Sequence, residues 1–277
     1  DEDIIMDISL GHAKLNNTKA ESLEAKSLES NSAFSHVVDP MLELRGMDMF
    51  LTDDPDEDIW RQPYLNECGL RDTPTLIANM MMPHGNMTTY LKLPDWVDDW
   101  NNIPEEKEDD TIEVKALKRF LMGDDDYRNA RAKLIPYVVH GPLAIRLIKP
   151  PPMEIMLHGL RHPVTWTNVP KEDAMGRTKC ALIECSIDLI SDRDVRRVIN
   201  IVKPHLPGIT IDLAFIISKP RDSEIEEPSA CLGLWRIDKV DFESCAVLPE
   251  KTIDETANEL KLMMSQLEDE GGLEDAA

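Results

Sequence analysis

CALIECSIDLI at residues 180–190 and GITIDLAFII at residues 208–217 decide the fold class. In both stretches apolar and polar residues alternate, which is the period of a strand that buries one face. The polar members, which we assign to the face away from the core, are Glu184, Ser186, Asp188, Thr210 and Asp212. Both stretches therefore predict strands of a half-buried sheet.

Between these strands, SDRDVRRVINIV at residues 191–202 has the pattern of a helix. Ser191 can cap the helix N-terminus, and acidic residues follow in the first turn. Apolar residues recur with the spacing of one helix face. These residues are Val195, Val198, Ile199 and Val202. We predict a helix over 192–203 that turns these four residues inward and that Pro204 ends.

More strands and helices are predicted on both sides of this strand-helix-strand unit. Alternation predicts strands over Leu42–Leu51, Thr73–Met82 and Tyr137–Ile148. Helical spacing predicts a helix over Lys115–Met122 and a last helix over residues 250–268. Because strands outnumber helices, we predict an α+β fold with an antiparallel or mixed β-sheet packed with helices.

Composition divides the chain into a folded centre and two polar ends. Residues 1–33 lack a dense apolar stripe and are interpreted as a polar arm. Residues 34–250 have the pattern of one domain, and residues 251–277 that of a C-terminal helix with an acidic tail. Residues 113–221 hold 18 Lys and Arg against 12 Asp and Glu, a net charge of +6 in a chain of net charge −23. Such asymmetry can direct a ligand to one face.

Composition also excludes several classes of protein. No apolar run approaches the ~20 residues of a membrane-spanning helix. The net charge of −23 argues against binding of the whole chain to nucleic acid or to anionic lipid, because both depend on Lys and Arg. Asp1–Asp7 has the wrong charge for a signal or transit peptide, and removal of a leader stays open because the chain does not start with Met. Five cysteines without a disulfide-like spacing favour a cytoplasmic location, or one at the surface of an intracellular membrane.

Common catalytic and metal motifs are missing from the sequence. Neither a phosphate loop nor a nucleophile elbow is found. His158 and His162 are separated by Gly-Leu-Arg and followed by Pro163, which argues against a zinc helix. We therefore expect a protein that is not an enzyme and holds no cofactor or metal. A hydrolase in which Glu184 and Asp212 converge in one cleft is kept as a further hypothesis.

Arg128, Asn129, Arg131 and Lys133 form a candidate polar cluster. The planar donor fork of arginine fits phosphate or carboxylate. One interpretation is a lipid headgroup site at the edge of an apolar cavity, with residues 124–126 orienting the arginines. The other is a structural ion-pair knot between Arg128 and an aspartate of the preceding turn. The residues alone leave both open.

A second basic set lies on the predicted helix 192–203. Its members are Arg193, Arg196, Arg197 and Lys203. Such a face is usually solvated by water, but it can also contact anionic lipid because that contact depends on Lys and Arg.

Several motifs resemble those of the C-terminal domain of the plant enhanced disease resistance 2 proteins. The most specific is LKRFLMGDDDYRNARAKLIP at residues 117–136, which is similar to the family's helix, Gly-Asp-Asp turn, aromatic-Arg-Asn and Lys-Leu-Ile-Pro. Shorter likenesses follow in the same order at residues 139–142, 184–190, 211–215 and 228–236. The resemblance spans about residues 34–250.

The resemblance implies an association with lipid or membrane traffic, because in the plant proteins this domain follows lipid-binding START and phosphoinositide-binding pleckstrin modules. We expect a non-enzymatic lipid-binding or membrane-associated module whose partner is a lipid or a membrane surface. A START-like arrangement around an apolar cavity is left open. The alternative is an interaction or scaffold subunit that docks onto a larger assembly through acidic arms at residues 1–35 and 250–277.

Overall fold

The computed structural model describes residues 40–142, 164–169, 171, 180–191, 193–219, 230–241 and 244–248. The polar arm 1–33, the helix predicted over 250–268, the acidic tail and the second half of the strand predicted over Tyr137–Ile148 lie outside these residues. Every helix and strand given below belongs to one compact unit that ends at Val247.

A six-stranded sheet, called here the large sheet, is formed within the described residues. Its strands are β1 (Glu43–Leu51), β2 (Thr75–Met82), β3 (Gly85–Lys92), β5 (Val164–Val169), β6 (Leu182–Asp188) and β9 (Ala246–Val247). They are ordered β5-β6-β2-β3-β1-β9. The pairs β2–β6 and β1–β9 are parallel, and the other neighbours are antiparallel.

A three-stranded antiparallel sheet, called the small sheet, consists of β4 (Ala132–His140), β7 (Thr210–Ile217) and β8 (Ala230–Asp238). Its strand order is β4-β7-β8. One mixed and one antiparallel sheet with packed helices confirm the predicted α+β class. A START-like arrangement is not confirmed.

Four α-helices lie among these strands in the described residues. They are α1 (Tyr64–Glu67), α2 (Ile112–Met122), α3 (Asp125–Arg131) and α4 (Arg193–Val202). Short 3-10 helices span Ile59–Arg61, Leu70–Asp72, Trp100–Asn102 and Lys203–Gly208. The hydroxyl of Thr111 accepts the amide of Val114 and caps α2, and Asp124 caps α3 through the amide of Tyr127. The sequence predicted α2 and α4 but interpreted the start of α3 as a turn.

The hydrophobic core lies between the two sheets, with α2 packed against β7 and β8. Leu117, Phe120 and Leu121 of α2 are buried in it, as predicted. Met47, Met49, Met80 and Met87 of the large sheet fill the same layer. Methionine adapts its shape to irregular gaps, which suits a core layer between two sheets.

Glu184 and Ser186 lie on the predicted face of their strand, but that face is covered and the sheet is not half-buried there. They do point away from the core between the sheets, but they are 1% and 2% exposed. Residues 56–62 lie over that face of the large sheet and hydrogen-bond to both side chains. Asp212 is also buried, at 5% exposure. Alternation identifies a face of a strand, but it does not show whether another segment of the chain covers that face.

The turn between β2 and β3 depends on glycine. Gly85 has a φ of 147°, and a Cβ added there would lie 1.7 Å from the carbonyl oxygen of Phe50, so no other residue fits without a rearrangement. This turn presents His84 to α4, where Nε2 of His84 donates a hydrogen bond to Oδ1 of Asn200 at 3.1 Å. The hairpin therefore fixes one side of α4.

Candidate functional site

Arg128 is an internal residue of the protein. Only 3% of it is exposed, and its guanidinium donates to the carbonyls of Phe120 at 3.2 Å and Leu121 at 2.8 Å. It also lies 3.5 Å from Oδ1 of Asp125 and stacks over the ring of Trp166. Burial lowers the pKa of Arg128. These contacts match the structural interpretation, in which the arginine closes the end of α2.

The other members of the predicted headgroup cluster do not converge. Oδ1 of Asn129 accepts a hydrogen bond from the indole of Trp166 at 2.7 Å. The guanidinium of Arg131 lies 3.6 Å from the ring centroid of Tyr127. Lys133 follows Ala132 and precedes Leu134, which both face the core, so it is on the opposite face of the small sheet. A headgroup role for these residues stays a prediction, and the fold does not bring them to one point.

A surface depression of about 440 Å³ lies beside Arg128. Its lining consists of Gly123, Asp124, Asp125, Asp126, Arg128 and Asn168. Three carboxylates at this place would repel an anionic headgroup, and an acyl chain would find no apolar wall. The depression is therefore not the mouth of the apolar cavity that the sequence led us to expect next to Arg128.

Helix α4 carries the second predicted basic set. Arg193, Arg196 and Arg197 are exposed, and none of them has a hydrogen bond or ion pair within the part of the chain that the structure describes. Lys203 lies in the 3-10 helix that continues α4 and is only partly exposed. Three arginines therefore present their donors to solvent on one helix.

The rotation of α4 differs from the prediction. Ile199 is partly buried and packs against the core, as expected. Val198 was predicted to face inward, but it is 39% exposed, and its neighbour on the next turn, Ile201, is 46% exposed. The hydrogen bond from His84 to Asn200 and the contacts of Ile199 fix which side of α4 faces out. We call the exposed side, formed by Arg193, Arg196, Arg197, Val198 and Ile201, the α4 face.

The basic residues of helix α2 have partners within the protein. Its cations contact residues 105–110, which we call the acidic strap. Arg119 binds both carboxylate oxygens of Glu106 at 2.6 and 2.8 Å. Lys118 donates to Oδ2 of Asp110 at 2.6 Å, and Lys115 donates to the carbonyl of Glu108 at 2.9 Å. Arg119 and Lys118 are thus paired with carboxylates and Lys115 with a carbonyl, whereas the arginines of the α4 face have no ion pair within the described part of the chain.

A buried polar cluster lies on the face of the large sheet away from the core. We call it the polar clamp, and its members are Asn79, Asn86, Glu184 and Ser186. The carboxylate of Glu184 accepts the amides of Ile59 at 3.1 Å and Trp60 at 2.7 Å. Burial raises the pKa of Glu184 to about 8. Sequence reasoning missed this cluster, although Asn79 and Glu184, two polar residues within predicted strands, were a usable signal.

The remaining members of the polar clamp bind the same covering segment. The amides of Asn79 and Asn86 both donate to the carbonyl of Asp56, at 2.9 and 2.8 Å. The hydroxyl of Ser186 donates to the carbonyl of Glu57 at 2.6 Å. The polar clamp therefore holds residues 56–60 on the sheet.

The hydrolase hypothesis fails on geometry. Glu184 lies on the outer face of the large sheet, and Asp212 lies on the outer face of the small sheet, with the core between them. Asp212 is paired with Arg236, whose guanidinium donates to both carboxylate oxygens at 2.7 and 3.0 Å. The two carboxylates do not share a cleft.

Two further observations concern membranes and metals. Among the helices of the described residues, none has the length and apolar content to cross a bilayer. No group of three or more His, Cys, Asp and Glu side chains is placed to hold a metal ion in the same part of the chain.

Comparison with known proteins adds one match. The family described as Protein ENHANCED DISEASE RESISTANCE 2, C-terminal matches residues 33–241, which is most of the chain. The match includes the polar clamp, both sheets except β9, and the α4 face. No solved structure matches the chain.

Proposed function

This chain belongs to the family of the C-terminal domain of Protein ENHANCED DISEASE RESISTANCE 2, and from that membership we propose that it is a non-enzymatic module that binds anionic membrane surfaces. The observation that carries the proposal is the α4 face. Arg193, Arg196 and Arg197 are exposed there and have no ion pair among the residues that the structure describes, in a protein of net charge −23.

Electrostatics make this face suitable for a bilayer. A basic residue near an anionic membrane contributes about 1 kcal/mol to binding. Three such residues contribute about 3 kcal/mol, which is roughly a hundredfold in affinity. At physiological ionic strength the Debye length is about 8 Å, so acidic residues on distant parts of the protein are largely screened from the membrane. The local charge then matters more than the net charge of the chain, and residues 191–203 hold four Lys and Arg against two Asp, a net charge of +2.

Vesicle flotation tests the proposal. We expect the wild-type protein to float with vesicles that contain phosphatidylserine and not with pure phosphatidylcholine, and binding should weaken with added salt. The triple variant Arg193→Gln, Arg196→Gln and Arg197→Gln should lose about two orders of magnitude in affinity. It should keep the wild-type circular dichroism spectrum because the three side chains are exposed.

The chain offers a matched control for net charge. Lys115→Gln, Arg119→Gln and Lys171→Gln remove the same number of charges, but these cations have partners in the backbone carbonyl of Glu108 and the carboxylates of Glu106 and Asp98. This control should bind vesicles almost as the wild type does. If both triple variants lose vesicle affinity equally, binding depends only on the net charge of the protein, and the α4 face has no special role. A wild-type protein that does not bind anionic vesicles would refute the proposal.

A further inference from the structure

Two apolar side chains stand among the arginines of the α4 face. Val198 and Ile201 are three residues apart and therefore lie on adjacent turns of the same side. Arg197 lies four residues before Ile201, so a basic and an apolar residue share one exposed side of the helix. With 39% and 46% of their surfaces exposed, both apolar side chains reach solvent.

Exposed apolar side chains occur elsewhere, but in a different setting. Ile112 and Met122 are 64% and 52% exposed at the two ends of α2, where the acidic strap neutralises the cations. Single exposed apolar residues of that kind are normal on protein surfaces. On the α4 face, by contrast, the apolar pair is bordered by arginines that have no ion pair among the residues whose placement the structure gives, which is the pattern of a helix that lies in a membrane interface.

Resting on the proposed function, we infer that α4 lies in the plane of an anionic bilayer and inserts Val198 and Ile201 at the boundary between headgroups and acyl chains. Arg193 and Arg197, which are four residues apart and lie on the side of Ile201, then bind lipid phosphates. Arg196, by contrast, lies two positions before Val198 and flanks the helix. The helix is suited to this because Ile199 and the His84–Asn200 hydrogen bond hold it in a fixed rotation. Interfacial insertion of this kind depends on lipid packing, so strongly curved vesicles should bind better than flat ones.

The size of the apolar contribution follows from the exposed area. Complete burial of a Val or Ile side chain is worth about ten- to hundredfold in an equilibrium constant, and roughly half of each side chain is available here. The pair should therefore contribute about tenfold to membrane affinity. The apolar contribution to membrane affinity should persist at salt concentrations that weaken the arginine contacts, because burial of apolar surface does not depend on charge screening.

The double variant Val198→Gln and Ile201→Gln tests the insertion and keeps residue types that are compatible with a helix. We expect about tenfold weaker binding to phosphatidylserine vesicles, and a smaller preference for small sonicated over large extruded vesicles. Ile112→Gln with Met122→Gln removes a similar exposed apolar surface and should bind as the wild type does. If the α4 double variant also binds as the wild type does, the insertion is refuted while the proposed membrane function stands.

A depth measurement gives an independent readout. In an otherwise wild-type protein, the tryptophan of an Ile201→Trp variant should be quenched by brominated lipids, and that of an Ile112→Trp variant should not. Equal quenching in the two variants overturns the inference. Failure of the wild type to bind vesicles of any composition overturns both the insertion and the proposed function, and it would point to a protein partner for the α4 face.

Discussion

The polar clamp and the α4 face are both built from polar side chains on regular elements, yet they have opposite surroundings. In the polar clamp, Glu184 is 1% exposed and accepts hydrogen bonds from two backbone amides. On the α4 face, Arg197 is exposed and has no ion pair within the described residues. The hydrogen bonds of the polar clamp hold residues 56–60 on the large sheet, whereas the guanidinium donors of the α4 face are exposed and can bind a partner. Substitutions in the polar clamp should therefore lower the free energy of unfolding, and substitutions on the α4 face should weaken vesicle binding.

The largest effect is expected from Glu184→Ala. This change leaves the amides of Ile59 and Trp60 buried without an acceptor, and each such group costs about 1–3 kcal/mol. We expect the free energy of unfolding in urea to fall by about 3 kcal/mol or more. Ser186→Ala, which removes the hydroxyl bound to Glu57, should cost about 1 kcal/mol and serves as a milder variant. A loss below about 1 kcal/mol for Glu184→Ala would mean that the polar clamp is not structural.

The pH dependence of stability should also come from the polar clamp. Burial raises the pKa of Glu184 from 4.5 to about 8, so the folded state binds one more proton than the unfolded state between these values. The contribution is therefore fully present below about pH 4.5 and is lost as the pH rises to about 8, with a slope of at most about 1.4 kcal/mol per pH unit. Urea unfolding of the wild type and of Glu184→Gln at several pH values measures it. If the free energy of unfolding changes equally with pH in the two proteins, the pH dependence does not come from Glu184.

A smaller effect is expected from Arg128→Lys, which tests a residue that the sequence offered as a lipid ligand. Lysine keeps the positive charge but cannot serve the carbonyls of Phe120 and Leu121 with one planar fork. We expect a loss of about 1–3 kcal/mol in the free energy of unfolding and vesicle binding that is unchanged for the folded protein. If the variant binds vesicles more weakly but unfolds with the same free energy as the wild type, Arg128 contacts lipid.

The smallest change in stability is expected from Arg197→Ala. Its side chain is exposed, and surface substitutions of this kind stay within about 0.5 kcal/mol of the wild type. Its affinity for phosphatidylserine vesicles should nevertheless fall about fivefold, as expected for one basic residue near an anionic surface. If Arg197→Ala lowers the free energy of unfolding but leaves vesicle affinity unchanged, Arg197 has a structural role and does not bind the membrane.

Much of the fold could be predicted from the sequence because alternation and helical spacing are local signals. They found β1, β2, β6, β7 and the helices α2 and α4 close to their observed bounds. They missed β3, whose sequence GNMTTYLK carries polar residues that are buried on both faces. They also missed α3, because the aspartates before Tyr127 suggest a turn as much as a helix start.

The candidate site was harder to predict because it depends on what covers each surface. The basic residues of α4 were identified from the sequence, but the outward rotation of Val198 was not, since it is set by the contacts of Ile199 and by His84 of a distant hairpin. Glu184 was placed on the correct face and in the wrong environment. A single sequence contains the period of a strand, but it does not state which other segment packs on it.

The parallel pairing of β2 with β6 has a consequence for synthesis on the ribosome. Asn79 donates a hydrogen bond to Glu184, which lies 105 positions later in the chain. At translation rates of about 5–20 residues per second, the earlier hairpin waits roughly 5–20 s for its neighbour to emerge. During that interval the edge of β2 that later pairs with β6 has no partner strand, and an unpaired strand edge can pair with another chain.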